Sequence, residues 1–324
     1  MENQKVIHWG IIGLGKIARK FAEDLRHVPH ATLAAVASTD LARAEQFASD
    51  FGVPAAFGSY EELFQAKPLD AVYIATPHAS HASCTLLALA QGVPVLCEKP
   101  FAMNSEEVAQ MVESARAKNV FLMEAMWTRF LPATTFVLDA VAQGKIGKIK
   151  SIHADFGFVA PFVPERRAFN KELGGGSLLD IGIYPAYLAY LLLGMPAKIQ
   201  ATSTWSPTGV DESTSMLFSY AGGEVAVLHS SFVTRTKTEA LIYGEKGAIQ
   251  MHERFHETKQ VSIFNELGDL METRQFPRDS FGYNFEIEAV CANIRANEKE
   301  NTWMRLEDSI ALMKILDEVR RVAI

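Results

Sequence analysis

The sequence contains little cysteine and no long uninterrupted apolar run. Its three cysteines are widely spaced and form no C-x-x-C pair, which argues against a disulfide framework or a zinc site. The longest apolar stretch, residues 186–193, is far shorter than the roughly 20 residues that a membrane-spanning helix needs. The first residues have no signal-peptide pattern. These features predict a cytoplasmic protein with no membrane partner, in which Cys84, Cys97 and Cys291 are buried thiols.

An excess of positive charge is also absent. Lysine and arginine together number 31 against 38 acidic residues, which gives a net charge of −7, and no basic cluster appears. A nucleic-acid partner is therefore not expected. The 48% hydrophobic and 21% charged residues are ordinary globular values and exclude a disordered or fibrous chain. A length of 324 residues exceeds one ordinary core, so two domains are predicted.

The first part of the chain alternates short apolar runs with helical patterns. Near-continuous apolar runs of this length are typical of parallel strands covered on both faces. The runs lie at 6–12, 32–37, 71–75, 93–97 and 120–123, and the helical patterns at 16–25, 42–51, 80–91 and 105–118. This alternation predicts βαβ units, right-handed crossovers and an α/β domain over residues 1–124.

The pattern changes after residue 124, where strand-like segments follow one another with short turns. The strand patterns lie at 151–158, 199–205, 213–220, 224–231, 239–243, 248–252, 260–264 and 270–276. Helical patterns lie at 128–143, 178–193, 284–296 and 306–322. Residues 125–324 are therefore predicted to form an α+β domain with a large, open, mainly antiparallel sheet.

A glycine-rich turn follows the first strand. Gly13, Gly15 and Ala18 match the pattern G-x-G-x-x-[G/A] and open the first helix. In that context Gly13 permits the tight turn, and Gly15 lets a pyrophosphate approach the helix N-terminus, where Lys16 and Ile17 also lie. The first domain is therefore predicted to bind a dinucleotide in a Rossmann fold.

The end of the second strand bears on which dinucleotide is bound. The acidic residue that usually contacts the ribose 2′-hydroxyl is replaced by Ser38, and Asp40 is interpreted as the cap of the next helix. Ser38, Thr39 and Arg43 are suited to a 2′-phosphate, which favours NADP over NAD. The missing arginine directly after Ser38 argues the other way, so NAD remains an alternative.

Two further groups are expected at the carboxyl ends of parallel strands, where ligands of such sheets bind. Thr76, Pro77, His78 and His81 follow one strand, and Glu98 and Lys99 follow the next. Lys99 is therefore expected near the nicotinamide and the substrate, and Pro100 is expected to fix a turn through a cis bond.

Several motifs together make the chain resemble the glucose–fructose oxidoreductase and inositol dehydrogenase family, the Gfo/Idh/MocA-like oxidoreductases. They are residues 10–18, residues 75–78 with His81, residues 97–100 and residues 174–184. Tyr184, where many sugar dehydrogenases of the family carry histidine, and residues 123–132 are similar to the branch of dimeric dihydrodiol and xylose dehydrogenases. The resemblance implies NAD(P)-dependent oxidoreductase activity and a homodimer formed through the second domain's sheet.

The residues themselves suggest how a hydroxyl proton is removed. A free tyrosine has a pKa near 10 and is a poor base at neutral pH, but a nearby ammonium favours its phenolate. We therefore expect Tyr184 to transfer the proton with Lys99 as its electrostatic partner and as a donor to the reacting oxygen. Asp180, four residues before Tyr184, is expected to orient the hydroxyl or Lys99.

The substrate and the reaction type stay open at this stage. Trp127, Arg129, Phe158 and Phe162 are candidate substrate-binding residues and suit a sugar, a polyol, a trans-dihydrodiol or a dicarbonyl. A dehydrogenase is favoured. The alternatives are a lyase or epimerase that oxidises its substrate transiently, and a non-catalytic sensor of NADP.

One motif is rejected. His252-Glu-Arg-Phe-His256 matches the zinc-protease pattern H-E-x-x-H, which requires both histidines on one helix. The segment lies between two predicted strands, so we interpret it as a hairpin connection, and no metal is expected.

Overall fold

The computed structural model describes residues 4–323, which divide into two compact units. The first unit contains the residues up to 127 together with 279–310, and the second contains 128–278 and the residues from 311 onward. The sequence predicted a single boundary between two domains, at residue 124. The return of residues 279–310 to the first unit was not anticipated.

The first unit contains a parallel sheet with the order β3-β2-β1-β4-β5-β6. Its strands are β1 (Ile7–Ile12), β2 (Ala31–Ala37), β3 (Ala55–Phe57), β4 (Ala71–Ile74), β5 (Val95–Glu98) and β6 (Leu122–Ala125). Its helices within the residues up to 127 are α1 (Lys16–Leu25), α2 (Leu41–Phe51), α3 (Tyr60–Leu63), α4 (His81–Ala90) and α5 (Ser105–Lys118). The predicted Rossmann-type α/β fold is confirmed. Strand β3 was missed because its apolar run is only three residues long and is half-buried.

A buried aspartate holds the returning segment. Helix α8 (Tyr283–Arg295) begins after Gly282, which has no side chain to cap it. The carboxylate of Asp24, on α1, is 1% exposed and accepts backbone N–H bonds from residues 281, 282, 283 and 284 at 2.7–3.4 Å. It thus supplies the cap, and its negative charge lies at the positive end of the helix.

The second unit contains a larger mixed sheet with the order β14-β13-β12-β11-β7-β10-β9-β8. Its strands are β7 (Ile149–Gly157), β8 (Lys198–Trp205), β9 (Asp211–Ser219), β10 (Val225–Ser231), β11 (Ala240–Gly244), β12 (Gly247–Met251), β13 (Gln260–Asn265) and β14 (Leu270–Gln275). Strands β7 and β10 pair in parallel, and the other pairings are antiparallel. The predicted large, mainly antiparallel sheet is confirmed.

The two faces of this sheet differ in exposure. Met216, Phe218, Ala226, Leu228 and Ile242 are buried on one face. On the other face Leu217, Val227 and Tyr243 are 37–48% exposed. Leu217 and Val227 are cross-strand partners, Val227 also pairs with His153, and the His153 and Tyr243 rings lie 5.4 Å apart. We call these four residues the open-face patch.

Helices α6 (Pro132–Ala142) and α7 (Ile183–Leu193) belong to the second unit, and α9 (Leu306–Val322) continues from the first unit into the second. Among the described residues, the helical segment Lys171–Leu193 is long and apolar enough to span a membrane. However, 72% of its apolar window is buried inside the protein, as in a core helix.

The Asp24 cap generates a prediction about stability. Asp24→Ala leaves four backbone N–H groups without their charged acceptor, so we expect the free energy of unfolding to fall by about 3 kcal/mol. Asp24→Asn retains one acceptor oxygen and should lose less. Urea denaturation of the purified variants measures both changes. The exposed neighbour Glu23→Ala is the control, and a loss for Asp24→Ala no larger than for this control would refute the capping role.

Candidate active site

The glycine turn lies at the carboxyl end of β1 and leaves space for a ligand. Gly13 has φ of +87°, and a Cβ added there would lie 2.6 Å from the Thr76 nitrogen, so glycine is required. Gly15 is the N-cap of α1, and a Cβ added to it would meet nothing within 4 Å. Ala18 is buried against the sheet, whereas Lys16 and Ile17 are exposed. The helix N-terminus therefore borders the open space that a pyrophosphate requires.

The end of β2 lies beside this turn, since the Gly13 N–H donates to the Ala37 carbonyl at 3.2 Å. Asp40 caps α2 by accepting from the Arg43 N–H at 3.3 Å, so its predicted capping role is confirmed. Ser38 is buried, and its hydroxyl accepts from the Asp40 N–H. Thr39 and the Arg43 side chain are exposed at the same edge.

His81 links the end of β4 to the turn after β5 through hydrogen bonds. Thr76 and Pro77 follow β4, and His78 begins a short 3-10 turn. His81 is fully buried at the start of α4, with its ring nitrogens 3.0 Å from the Thr76 carbonyl and 2.7 Å from the Pro100 carbonyl. His81 therefore ties the turn after β5 to the end of β4.

The turn after β5 carries Glu98, Lys99 and Pro100. The Lys99–Pro100 peptide bond is cis, as predicted. The Glu98 carboxylate accepts from the Tyr73 hydroxyl and from the Lys99 N–H. Burial raises the pKa of the Tyr73 phenol well above its usual value, and the neighbouring Glu98 carboxylate adds to this. Tyr73 is thus a permanent hydrogen-bond donor to Glu98.

In the second unit, the segment before α7 forms a π-helical turn, Leu178–Gly182, which contains Asp180. Such turns interrupt the regular α-helical ladder and are frequent at functional sites. The turn packs closely on β10, because a Cβ on Gly182 would lie 2.8 Å from the Ser230 hydroxyl. Asp180 forms an ion pair of 2.8 Å with Arg167.

The half-buried carboxylate of Asp211 fixes the start of this turn. Asp211 accepts from the Leu178 N–H at 2.7 Å and from the Ser177 hydroxyl at 2.8 Å. The nearby Gly176 has φ of +118°, and a Cβ there would collide with the Asp211 carboxylate. Burial raises the pKa of Asp211, although its hydrogen bonds oppose that shift. Asp211 therefore sets where the segment that carries Asp180 begins.

Tyr184, on the first turn of α7, lies among aromatic rings. Its ring centroid is 5.8 Å from that of Phe156 and 4.9 Å from that of His256. The Phe156 and His256 rings stack on each other at 4.3 Å. His256 is held in a turn whose Glu257 pairs with Arg254, so the ring beside Tyr184 has a fixed support.

The candidate substrate-binding residues divide between the two units. In the first unit Trp127 is buried and stacks on Tyr283 at 4.8 Å. Arg129 belongs to the second unit, where Phe158 and Phe162 are 40% and 49% exposed. Phe158 packs on Phe232, and Phe162 packs on Phe169. Phe158 and Phe162 are thus supported by buried rings and keep part of their own rings exposed.

The H-E-x-x-H segment connects β12 and β13, as predicted, and its two histidines have different surroundings. His252 lies 2.8 Å from the Ser262 hydroxyl, whereas His256 stacks on Phe156. Within residues 4–323 no group of three or more histidine, cysteine, aspartate or glutamate side chains is arranged to hold a metal ion.

Sequence reasoning missed several residues of this region. Phe156 and His256 pack on Tyr184, Arg167 pairs with Asp180, and Asp211 anchors the π-helical turn. The only available signal was the second histidine of the H-E-x-x-H segment, whose match to a metal motif concealed its packing role. The other contacts join residues more than ten positions apart and have no local pattern.

Comparison with protein families covers most of the chain. A family model described as an oxidoreductase family with an NAD-binding Rossmann fold matches residues 7–126. The model of the GFO/IDH/MocA C-terminal domain matches residues 135–250. A trans-1,2-dihydrobenzene-1,2-diol dehydrogenase from Danio rerio is 39% identical over 97% of this chain and 96% of its own length. The protein of the same name from Homo sapiens is 35% identical with the same coverage.

Solved structures share the fold. A 3-ketoreductase from Actinomadura kijaniata, in complex with NADP and TDP-benzene, has a TM-score of 0.88 and 27% identity over 98% of both chains. An aldose-aldose oxidoreductase from Caulobacter crescentus has a TM-score of 0.88 and 22% identity over 98% of both chains. At that identity the second likeness supports the fold alone.

The glycine turn provides a matched pair of substitutions. In Gly15→Ala the added methyl enters the open space at the helix N-terminus, so we expect dinucleotide affinity to fall at least about tenfold while stability is kept. In Gly13→Ala the positive φ and the collision with Thr76 should cost roughly 2 kcal/mol or more of unfolding free energy. Fluorescence titration and urea denaturation measure the two effects. Unchanged affinity in Gly15→Ala would exclude the turn as the dinucleotide site.

Proposed function

Because the chain belongs to the Gfo/Idh/MocA oxidoreductase family, we propose that it transfers a hydride between NADP and a hydroxyl or carbonyl carbon of a sugar, polyol or trans-dihydrodiol. The observation that carries the proposal is the position of Lys99, which follows β5 at the same sheet edge as the glycine turn. The names of the relatives, which are diol dehydrogenases and a ketoreductase, support the substrate class.

The dinucleotide would be held along the carboxyl ends of β1, β2, β4 and β5. When bound, its nicotinamide supplies the hydride acceptor or donor. The N-terminus of α1 would bind the pyrophosphate, with Gly15 giving access to the backbone. Ser38, Thr39 and Arg43 support NADP over NAD, because no carboxylate of β2 repels a 2′-phosphate and the Arg43 side chain is exposed. The remaining candidate contacts are Gly13, Lys16, Ile17, Thr76, Pro77, His78, Glu98 and Lys99. His81 is fully buried and bonded through both ring nitrogens, so it would act by holding the turns that carry these residues.

In alcohol oxidation Tyr184 would accept the hydroxyl proton as the hydride leaves the same carbon. The ammonium of Lys99 would stabilise the phenolate of Tyr184 and the developing negative charge on the substrate oxygen. Asp180, fixed by Arg167 and by the anchored π-helical turn, would orient the hydroxyl. Phe156 and His256 would hold the plane of the Tyr184 ring. In carbonyl reduction the same groups act in reverse, and Tyr184 donates the proton.

The substrate would lie against the exposed rings of Phe158 and Phe162. Exposed aromatic faces bind the C–H faces of a sugar ring as well as an unsaturated diol ring, because both present apolar surface. Trp127 and Arg129 are the other candidate substrate-binding residues, and the guanidinium of Arg129 would bind a hydroxyl or carbonyl oxygen.

A cytoplasmic location is part of the proposal. Among the described residues Cys84, Cys97 and Cys291 are free and buried. Burial raises the pKa of the Cys97 thiol well above its usual value and also raises that of Cys84. Such thiols are poorly reactive, as expected of structural cysteines in a reducing compartment.

We also propose that two copies associate through the second unit's sheet. The open-face patch of His153, Leu217, Val227 and Tyr243 places apolar side chains on adjacent strands. Contiguous exposed apolar surface of this kind is typical of association sites. A second copy of the same face would bury it in a symmetric pair.

The proton-transfer role of Tyr184 predicts a specific kinetic defect. Tyr184→Phe keeps the aromatic ring but loses the hydroxyl, so we expect kcat to fall at least about 100-fold while dinucleotide affinity is unchanged. Absorbance of the reduced nicotinamide follows turnover with NADP and NAD in parallel, against aldoses, polyols and trans-diols. Tyr187→Phe, one turn further along the same helix, is the matched control.

Two results would contradict this prediction. Equal kcat in Tyr184→Phe and Tyr187→Phe would remove Tyr184 from the chemistry. Tight NADP binding by the wild type without turnover of any substrate in the panel would exclude net hydride transfer to these classes, and transient oxidation in lyase or epimerase chemistry would then replace it.

The dimer proposal predicts the effect of one charge on the open-face patch. Val227→Asp places a carboxylate at the centre of the patch, so we expect the dimer to dissociate at micromolar concentration. Sedimentation velocity measures the mass of each species. Val233→Asp, an equally exposed valine outside the strands, is the control and should remain dimeric. A monomeric wild type would disprove the interface.

A further inference from the structure

Glu124 is a buried acid that holds the turn carrying Lys99. It lies on β6, is 1% exposed, and pairs across the sheet with Cys97 on β5. Its Oε1 accepts from the Phe101 N–H at 3.1 Å. Because Phe101 directly follows the Lys99–Pro100 peptide, the carboxyl of Glu124 restrains the turn from the neighbouring strand.

The groups around this carboxyl are few and come from three elements. Glu98 and Lys99, from β5 and its turn, are charged neighbours, and the hydroxyl of Ser309 on α9 lies near the same carboxyl. Among the described residues, neither the Ser309 hydroxyl nor Oε2 of Glu124 has a hydrogen-bond partner within bonding geometry. The Cys97 thiol on β5 stays neutral, because burial raises its pKa well above the usual value. Burial raises the pKa of Glu124 to about 7, with Glu98 adding to the shift, while Ser309, the Phe101 N–H and Lys99 oppose it.

A second buried acid, Glu286, lies near Glu98. Glu286 on α8 is fully buried, and within residues 4–323 neither of its oxygens has a hydrogen-bond partner. Burial, reinforced by Glu98 and Asp24, raises its pKa well above the usual value. Glu98 is itself bonded to the Tyr73 hydroxyl. Of these carboxyl groups, Glu124 is the one bonded to the Phe101 N–H, and its pKa is raised to about 7.

We propose that Glu124 is a pH-responsive positioning residue for Lys99. When the carboxyl of Glu124 loses its proton, its bond to the Phe101 N–H becomes charge-assisted and tightens the turn. The new negative charge also adds an electrostatic attraction between Glu124 and the Lys99 side chain. The catalytic consequence rests on the proposed role of Lys99, whereas the change in charge of Glu124 does not.

The titration of Glu124 is tested first on the protein without cofactor. Its folded pKa exceeds the unfolded value, so its stabilising contribution is present at low pH and is lost as the pH rises through about 7. Glu124→Gln keeps the amide contact but cannot ionise. We expect the Tm of this variant, relative to wild type, to rise by at least about 4 °C between pH 5 and pH 8. A difference in Tm that stays constant with pH would overturn the proposal.

The effect on Lys99 is tested by kinetics. For alcohol oxidation we expect the ratio of wild-type kcat to Glu124→Gln kcat to increase at least about threefold from pH 6 to pH 8, with an unchanged ratio of substrate KM values. A merely structural role would lower kcat by the same factor at each pH, and that result would overturn the link to Lys99. Absence of any turnover would refute the proposed function, while the Tm measurement would still decide whether Glu124 titrates.

A second variant keeps the test valid if Glu124→Gln does not fold. Ser309→Ala removes the hydroxyl that favours the ionised carboxyl of Glu124. Loss of this hydroxyl should raise the pKa of Glu124. We therefore expect the pH at which Tm falls, and the pH of the kinetic inflection, to be higher in this variant than in the wild type. An inflection that stays at the same pH would overturn the assignment of the titration to Glu124.

Discussion

The parallel pairing of β1 with β2 and β4 is the constraint on which the first unit's site depends. Parallel strands place their carboxyl ends at one edge, so residues 13–18, 38–43, 76–81 and 98–101 are collected along a single line although the chain separates them widely. The register leaves little tolerance, because the backbone of Gly13 approaches Thr76 so closely that no side chain fits between them. A shift of β1 by one residue would separate the glycine turn from the end of β4 and destroy the edge.

Buried or half-buried carboxyl groups fix the irregular segments that this edge and the second unit require. Asp24 and Asp211 lie in different units, yet each accepts backbone N–H bonds at the start of a helical segment that lacks its own side-chain cap. Glu124 does the same for the turn after β5. A buried charge is costly unless it is hydrogen-bonded, and here the cost is offset by ordering backbone that has no other acceptor. The geometry of these segments thus depends on acids that act through backbone amides.

Much of this arrangement could be predicted from the sequence, and the exceptions have a common cause. Helices α1, α5 and α9 begin and end where the helical patterns predict, α5 with the expected cap at its start, and the glycine turn and Lys99 follow the expected strands. The π-helical turn was predicted as ordinary helix, since inserting one residue into a turn leaves the apolar pattern almost unchanged. The return of residues 279–310 and the packing of His256 on Tyr184 were missed because they depend on contacts between distant residues. Asp24 binds backbone amides, which every residue except proline possesses, so its partners leave no mark in the sequence.

The first unit is built from two stretches of chain, residues up to 127 and residues 279–310, with most of the second unit between them. Inheritance of the dinucleotide-binding half therefore cannot follow a single cut in the gene. A chimaera that exchanges this half between relatives has to carry both stretches together, because residues 279–310 pack within the same compact unit as the residues up to 127. Recombination within the family is thereby restricted to junctions that keep those two stretches from the same parent.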